Sequence, residues 1–315
     1  MVKKVNKKNK IKVLYIAGTG RNGSTLLERI LGQIDVFFSV GEIHNIWERG
    51  VIQDQLCGCG ARHSHCDLWK KIHQNAYGQI NTEKAKKWYD IQRKSTKLRR
   101  VFSHIANHNR KSDIDLNEYL NTLDKLYCSV ALSTNCEVIV DSSKSPMYLA
   151  LLRLLPSLDV YTLHVVRDPR AVTYSWLNPK PSNDPYAPAL MGIMQTWTSI
   201  QVWNIWNILI EYFGRKGTGN YLFLRYEDFV AQPSLHLDKI QEFLGLKGKS
   251  NPLNDSGTIS VNKTHTISGN PVRFETGAIK ILEDRRWRDE MKNKDKAMVT
   301  ALSFPLMLRY RYTLR

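Results

Sequence analysis

KVLYIAGTGRNGSTLLERIL, residues 12–31, runs in the order apolar strand, glycine turn, amphipathic helix. Val13 to Ala17 form a short apolar run of the kind buried in a parallel sheet. Gly18, Gly20 and Gly23 follow, and Ser24 and Thr25 open the helix. Glycines let backbone N–H groups converge, and a helix N-terminus favours an anion, so the stretch is built to hold phosphate. Gly18-x4-Gly23 followed by a hydroxyl residue approaches the nucleoside-triphosphatase loop, whose lysine holds the terminal phosphates. Here Ser24 stands at the lysine position, and the cation lies inside the turn at Arg21. The loop is therefore expected to take a phosphorylated donor by a route other than Mg-ATP.

The chain has 315 residues, 42% hydrophobic and 24% charged, enough for one large domain or two small ones. No apolar run reaches the roughly 20 residues of a membrane helix. MVKKVNKKNKIK has no apolar core, so residues 1–11 read as a basic tail and not as a secretory signal. Five cysteines argue against a disulfide scaffold and for the cytoplasm. A net charge of +17 points to anionic partners. The charge is spread along the chain, and no nucleic-acid-binding motif accompanies it, so nucleic acid is not the expected partner.

Four segments read as buried parallel strands: Val13–Ala17, Glu137–Val140, Val160–Val166 and Tyr221–Leu224. Each ends in a polar turn: GTGRNGST, DSSKSP, RDPR or RYEDF. Strands separated by helical stretches predict an α/β fold, a P-loop-like parallel sheet flanked by helices. The four turns then meet beyond the carboxyl ends of the strands, where such sheets bind ligands. Residues 12–315 are read as a single domain. More than a hundred residues separate the first two strands, and the helix-rich, basic part of them, about 83–130, reads as an inserted helical cap. LNPKPSNDPYAP (177–188) reads as loop, the following aromatic helix places Trp197, Trp203 and Trp206 mainly in core packing, and 247–270 reads as a polar, mobile loop.

Three motifs carry a family resemblance. Arg21-Asn22-Gly23-Ser24-Thr25 resembles the 5′-phosphosulfate loop of sulfotransferases that use 3′-phosphoadenosine-5′-phosphosulfate. Arg167-Asp168-Pro169-Arg170 with Ser175 is similar to their 3′-phosphate motif, and Arg225-Tyr226-Glu227-Asp228 to a further recurrent segment. The resemblance runs in order from Lys12 to Trp287. The first-loop arginine and DSSKSPMYL are similar to the tyrosylprotein and carbohydrate branch. HTISGNPVRFETG with DRRW resembles that branch's bacterial relatives most, and the Arg-Lys-Gly run of the cytosolic animal branch is missing.

The resemblance implies in-line transfer of a sulfuryl group to a hydroxyl or nitrogen acceptor, a small molecule or carbohydrate, with side-chain cations and no metal. Arg21 would meet the phosphate–sulfate junction. Asn22, Gly23, Ser24 and Thr25 would hold the 5′-phosphate, and Arg167 and Ser175 the 3′-phosphate. Lys144 would touch the donor or the moving group, Tyr226 would line or stack on the adenine, and Arg273 would return to the 3′-phosphate. For the general base, Glu42 leads, with His44 and His265 as alternatives. The rivals are a P-loop small-molecule kinase and a non-catalytic polyanion binder.

In CGCGARHSHC, Cys57, Cys59 and Cys66 lie close to His63 and His65. Structural thiols, with or without a disulfide, and a zinc site are the readings this leaves. A similar cysteine-glycine segment in bacterial sulfotransferases implies a structural turn near the substrate side.

Overall fold

A computed structural model describes residues 10–106, 113–179, 181–182, 184–188, 192–216, 220–246, 248, 251–253 and 258–313. Nearly all of the basic tail lies outside the described residues. The elements are β1 (Ile11–Ala17), α1 (Ser24–Leu31), β2 (Phe37–Gly41), α2 (Asp67–Tyr77), α3 (Thr82–Ser95), α4 (Leu98–Ala106), α5 (Ile114–Thr134), β3 (Val138–Lys144), α6 (Pro146–Leu152), β4 (Leu158–Val166), α7 (Pro169–Leu177), α8 (Thr196–Arg215), β5 (Tyr221–Arg225), α9 (Tyr226–Ala231), α10 (Pro233–Phe243), β6 (Thr258–Val261), β7 (Gly277–Lys280), α11 (Trp287–Glu290) and α12 (Asn293–Arg309). None of the described helices is long and apolar enough to cross a membrane.

β1 to β5 form one parallel sheet in the order β2-β3-β1-β4-β5. β1 sits at its centre because it is apolar on both faces. Val13, Tyr15 and Ala17 enter one hydrophobic cluster, and Leu14 and Ile16 enter the other. This alternation is the period of two that strand geometry imposes. Burying each large aliphatic side chain contributes about 1.5–3 kcal/mol, and helices cover both faces. The chain builds β2 and β3 on one side of β1, then recrosses to build β4 and β5 on the other. That reversal is the switch point where open α/β sheets bind ligands beyond the strand ends.

α1 buries Leu27, Ile30 and Leu31 on one face of the sheet, beside Leu237 and Ile240 of α10. On the other face, Trp69 of α2, Trp88 of α3 and Tyr119 and Tyr127 of α5 share a cluster with β1 and β3. Tyr127 donates a 2.5 Å hydrogen bond to Asp141 on β3. The predicted insertion at 83–130 therefore forms α3, α4 and α5, a helical layer seated on the sheet itself; residues 107–112 of it lie outside the described residues.

Three elements differ from the sequence reading. Phe37–Gly41 forms a fifth strand at the edge, paired with β3; Ser39 and Gly41 interrupt its apolar run, which therefore does not read as a buried strand. β3 runs on through the polar DSSK to Lys144. The expected mobile stretch 247–270 includes β6, paired antiparallel with β7, and a bridge from Ile267 to Gly41; residues 247, 249–250 and 254–257 lie outside the described residues. Backbone pairing, to which polar side chains are no obstacle, orders that segment. Trp203 is core as expected, donating Nε1–H to the Arg167 carbonyl, whereas Trp197 is more than half exposed.

Candidate functional site

The turn between β1 and α1 is held by its own side chains. Asn22 is fully buried; it donates Nδ2–H to the Val165 carbonyl at 2.9 Å and accepts the Ser24 N–H at 3.1 Å. Its side chain therefore fastens the turn to β4 and leaves only its backbone to face a ligand. Gly23 has φ +91°, and a Cβ there would lie 2.2 Å from the Tyr226 ring, so only glycine fits between the turn and that ring. Tyr226 is thus a shelf under the turn, and the Arg167 guanidinium lies 4.8 Å from its ring centroid.

Arg21 has φ +69°, a left-handed conformation that side chains rarely adopt. Its guanidinium lies 4.5 Å from the Trp176 ring centroid, and burial pulls its pKa down. Trp176 also packs on Gly20, where a Cβ would meet the ring at 2.5 Å. Arg167 donates to the carbonyls of Arg21 and Asp284, each at 3.2 Å, and so links β4 to the turn. The neighbouring Asp168 does not neutralise it. Asp168 caps α7 and binds Arg170 through both carboxylate oxygens, Nε–H to Oδ1 at 3.0 Å and Nη2–H to Oδ2 at 2.7 Å. Arg170 in turn covers Trp287.

A second group gathers at the ends of β2 and β3. Lys144, also left-handed with φ +68°, places Nζ 2.6 Å from Glu42 Oε1. Asn45 donates to Glu42 Oε2 at 3.0 Å. Burial pushes the Glu42 carboxyl up, but Lys144, His44 and Arg49 outweigh it and hold the group at about 2. His44 is driven down to about 4, first by burial and then by Lys144 and Arg49, so its ring is neutral near pH 7. The His44 backbone N–H donates to Ser143 Oγ at 3.1 Å. Strain at Arg21 and Lys144 is of the kind proteins retain where a site requires it.

These groups open into one cleft of about 1310 Å³. Its lining includes Arg21, Gly23, Ser24, Thr25, Glu42, His44, Lys144, Arg167, Ser175, Tyr226 and Arg273. The volume exceeds the roughly 300–1,000 Å³ of a site for one small ligand, so it has room for a donor and an acceptor together. Arg286, which lies in the DRRW stretch but was given no site role from the sequence, also lines it and is held bidentate by Asp284.

Two expected site residues are engaged elsewhere. Arg273 is buried, and its guanidinium donates to the Thr266 carbonyl and the Leu56 carbonyl, both at 2.7 Å, with Asp184 at 3.9 Å. Its charge closes a wall of the cleft instead of reaching toward Arg167. His265 is outside the cleft lining; its Nδ1 is 3.2 Å from Cys66 Sγ and 3.8 Å from Cys57 Sγ. His63 pairs with His73 at 2.9 Å and His65 with Ser64, so neither histidine of the CGCGARHSHC stretch meets the cysteines. All five cysteines are free thiols, and Cys59 and Cys66 are 3.9 Å apart, so the disulfide alternative is not formed here.

A model of the sulfotransferase family matches residues 14–250. Among solved structures, the sulfotransferase domain of the olefin synthase of Synechococcus PCC 7002 aligns with TM-score 0.53 and 20% identity, over 98% of this chain and 97% of its own. The sulfotransferase domain of the curacin biosynthetic pathway aligns with TM-score 0.52 and 16% identity, over 98% and 99%. At these identities the likeness is one of fold. A search among curated proteins gave no significant match.

Proposed function

The chain belongs to the sulfotransferase family and is an enzyme of sulfuryl transfer; we propose that its donor is 3′-phosphoadenosine-5′-phosphosulfate and its acceptor a hydroxyl or amine of a small molecule or carbohydrate. One observation carries the reading: the glycine turn with Arg21, Arg167, whose neighbour Asp168 is held by Arg170, and the Lys144–Glu42 pair all face the same cleft. A donor with phosphate at both ends needs two anion sites, and the β1–α1 turn and the start of α7 provide them. Five unbridged cysteines fit a reducing compartment, the cytoplasm.

The donor brings a sulfur–oxygen bond whose leaving group is a nucleotide phosphate. That bond breaks as the acceptor oxygen or nitrogen bonds to sulfur, and the acceptor's proton must go to a base. The backbone N–H groups of Gly23 and Thr25 at the start of α1, with the Ser24 and Thr25 hydroxyls, hold the 5′-phosphate, while the Ser24 N–H stays on Asn22 Oδ1. Arg21, stacked on Trp176, presents a planar cation to the charge that grows on the leaving oxygen. Arg167 and Ser175 hold the 3′-phosphate, with Tyr226 fixing the guanidinium. Glu42 Oε2 takes the acceptor proton. A carboxylate held at about 2 is a poor base, but when Lys144 turns from it toward an anion in the cleft, its cationic hold ends and burial raises the carboxyl. Lys144 thus couples donor arrival to base strength. His44 stands beside this pair as the neutral alternative.

Thermal shift with 3′-phosphoadenosine-5′-phosphate, Mg-ATP and heparin tests the donor. Strong stabilisation by the bisphosphate alone is expected. Stabilisation by Mg-ATP without it points to a kinase, and stabilisation by heparin alone to a polyanion binder; either result removes the reading.

A further inference from the structure

Cys57, Cys59 and Cys66 share one short stretch and His265 lies 199 residues beyond Cys66, yet their ligand atoms all lie within 4.8 Å of one another. From this convergence we propose that the four residues bind one zinc ion, a structural clamp separate from the cleft where sulfuryl transfer takes place.

The spacing matches a metal-centred tetrahedron. Zn–S of about 2.3 Å and Zn–N of about 2.0–2.1 Å give tetrahedral edges of about 3.5–3.8 Å. Three of the six edges here are 3.2 Å for Cys66 to His265, 3.8 Å for Cys57 to His265 and 3.9 Å for Cys59 to Cys66, and none of the six exceeds 4.8 Å, so binding the ion draws the longer ones in. Three thiolates and an imidazole form a closed set of the structural kind, with no position left for a substrate. A disulfide would need sulfurs about 2.05 Å apart and would leave the third thiol unused.

The local backbone is shaped to bring these atoms together. Cys57 and Cys59 flank Gly58, whose missing Cβ leaves room for Thr266 Oγ1 at 2.5 Å and the Thr264 carbonyl at 2.8 Å. Gly58 N–H donates to the Thr266 carbonyl, and Gly60, at φ +91°, turns the chain back so that Cys57 N–H reaches the Ala61 carbonyl. Cys66 is the N-cap of α2, where the helix dipole favours a thiolate. Trp69, one turn into α2, donates Nε1–H to the His265 carbonyl at 2.8 Å and fixes the fourth ligand from behind. The ion would join the knuckle to the strap 264–268, whose Ile267 carbonyl accepts the Glu42 N–H and whose Ser268 accepts from Arg49. The clamp thus sets the wall against which Glu42 stands, while none of the four ligands lines the cleft.

The test is elemental analysis of the purified chain grown with zinc and handled without chelator, followed by cobalt substitution. One zinc per chain, and a cobalt form with tetrahedral d–d bands and a thiolate-to-cobalt band, are expected. C66S and H265A should lose the metal, and C128S should keep it. Should C66S or H265A not fold, mercurial titration of the native protein reads the same point: zinc should be released in step with thiol modification. Zinc well below one per chain after that growth, a Cys59–Cys66 disulfide found by non-reducing peptide mapping, or full zinc retained in folded C66S would overturn the proposal.

Discussion

Lys144 Nζ lies 2.6 Å from Glu42 Oε1, and the two residues reach this contact from the ends of adjacent strands, β3 and β2. The pair makes each substitution informative. E42Q keeps the shape and removes the base, so kcat should fall by about 10²–10⁴-fold with little change in nucleotide affinity. K144A should lose about 10²–10³-fold in kcat and leave Glu42 a stronger base, which shifts the acidic limb of the kcat/KM profile upward in pH. An unshifted limb in K144A argues against the coupling. Steady-state kinetics across pH measures both.

Arg167 and Arg170 lie three residues apart and should separate cleanly. R167A removes charged hydrogen-bond donors worth about 1.5–3 kcal/mol each and is expected to weaken the bisphosphate about 10–100-fold by calorimetry. R170A strands the buried Asp168 and should cost about 3–5 kcal/mol of stability, read by denaturant unfolding. Equal nucleotide affinity in R167A and wild type would remove Arg167 from the donor site. R21A, by contrast, should act mainly on turnover.

Gly23 and Tyr226 predict a clash with a remedy. G23A places a Cβ 2.2 Å from the ring at a left-handed position, which should abolish the nucleotide-induced thermal shift. Adding Y226A removes the ring and should restore part of that shift. A G23A chain that binds nucleotide normally would show that the ring yields freely.

Acid should destabilise the fold in two stages. Burial holds His44, His73 and His164 at about 4, against an ordinary 6.5, and His63 well below 6.5. The unfolded chain therefore binds more protons between these values, so stability present above pH 6.5 is lost as pH falls toward 4. Glu42, at about 2 against 4.5, adds a contribution present above pH 4.5 and lost as pH falls toward 2. Asp141, which burial raises to about 6 against 3.8, opposes this between those values, so unfolding midpoints measured from pH 7 to 3 should fall by the excess of the four histidines and Glu42 over it. A plateau between pH 6.5 and 4.5 would contradict the first stage.

Much of this was legible in the sequence, for local reasons. The β1–turn–α1 stretch and RDPR carry their structure in consecutive residues, and apolar runs flank them. Lys144 and Glu42 were individually visible, but their contact was not, because it depends on β2, an edge strand whose apolar run Ser39 and Gly41 interrupt. His265 and Arg273 were read from their neighbours in sequence, yet their partners are Cys66, Leu56 and Asp184, all remote along the chain. Arg286 stood in the quoted DRRW stretch, but its bidentate bonds with Asp284, which hold it at the cleft, are not given by the motif.

The bridge between Ile267 and Gly41 has a consequence for synthesis. All five strands of the main sheet, and the turn between β1 and α1, are complete once Arg225 has been translated. The wall beside Glu42 awaits a segment that leaves the ribosome later. A chain cut short after α10 would leave Glu42 without its neighbour Ile267 and Arg167 without the Asp284 carbonyl.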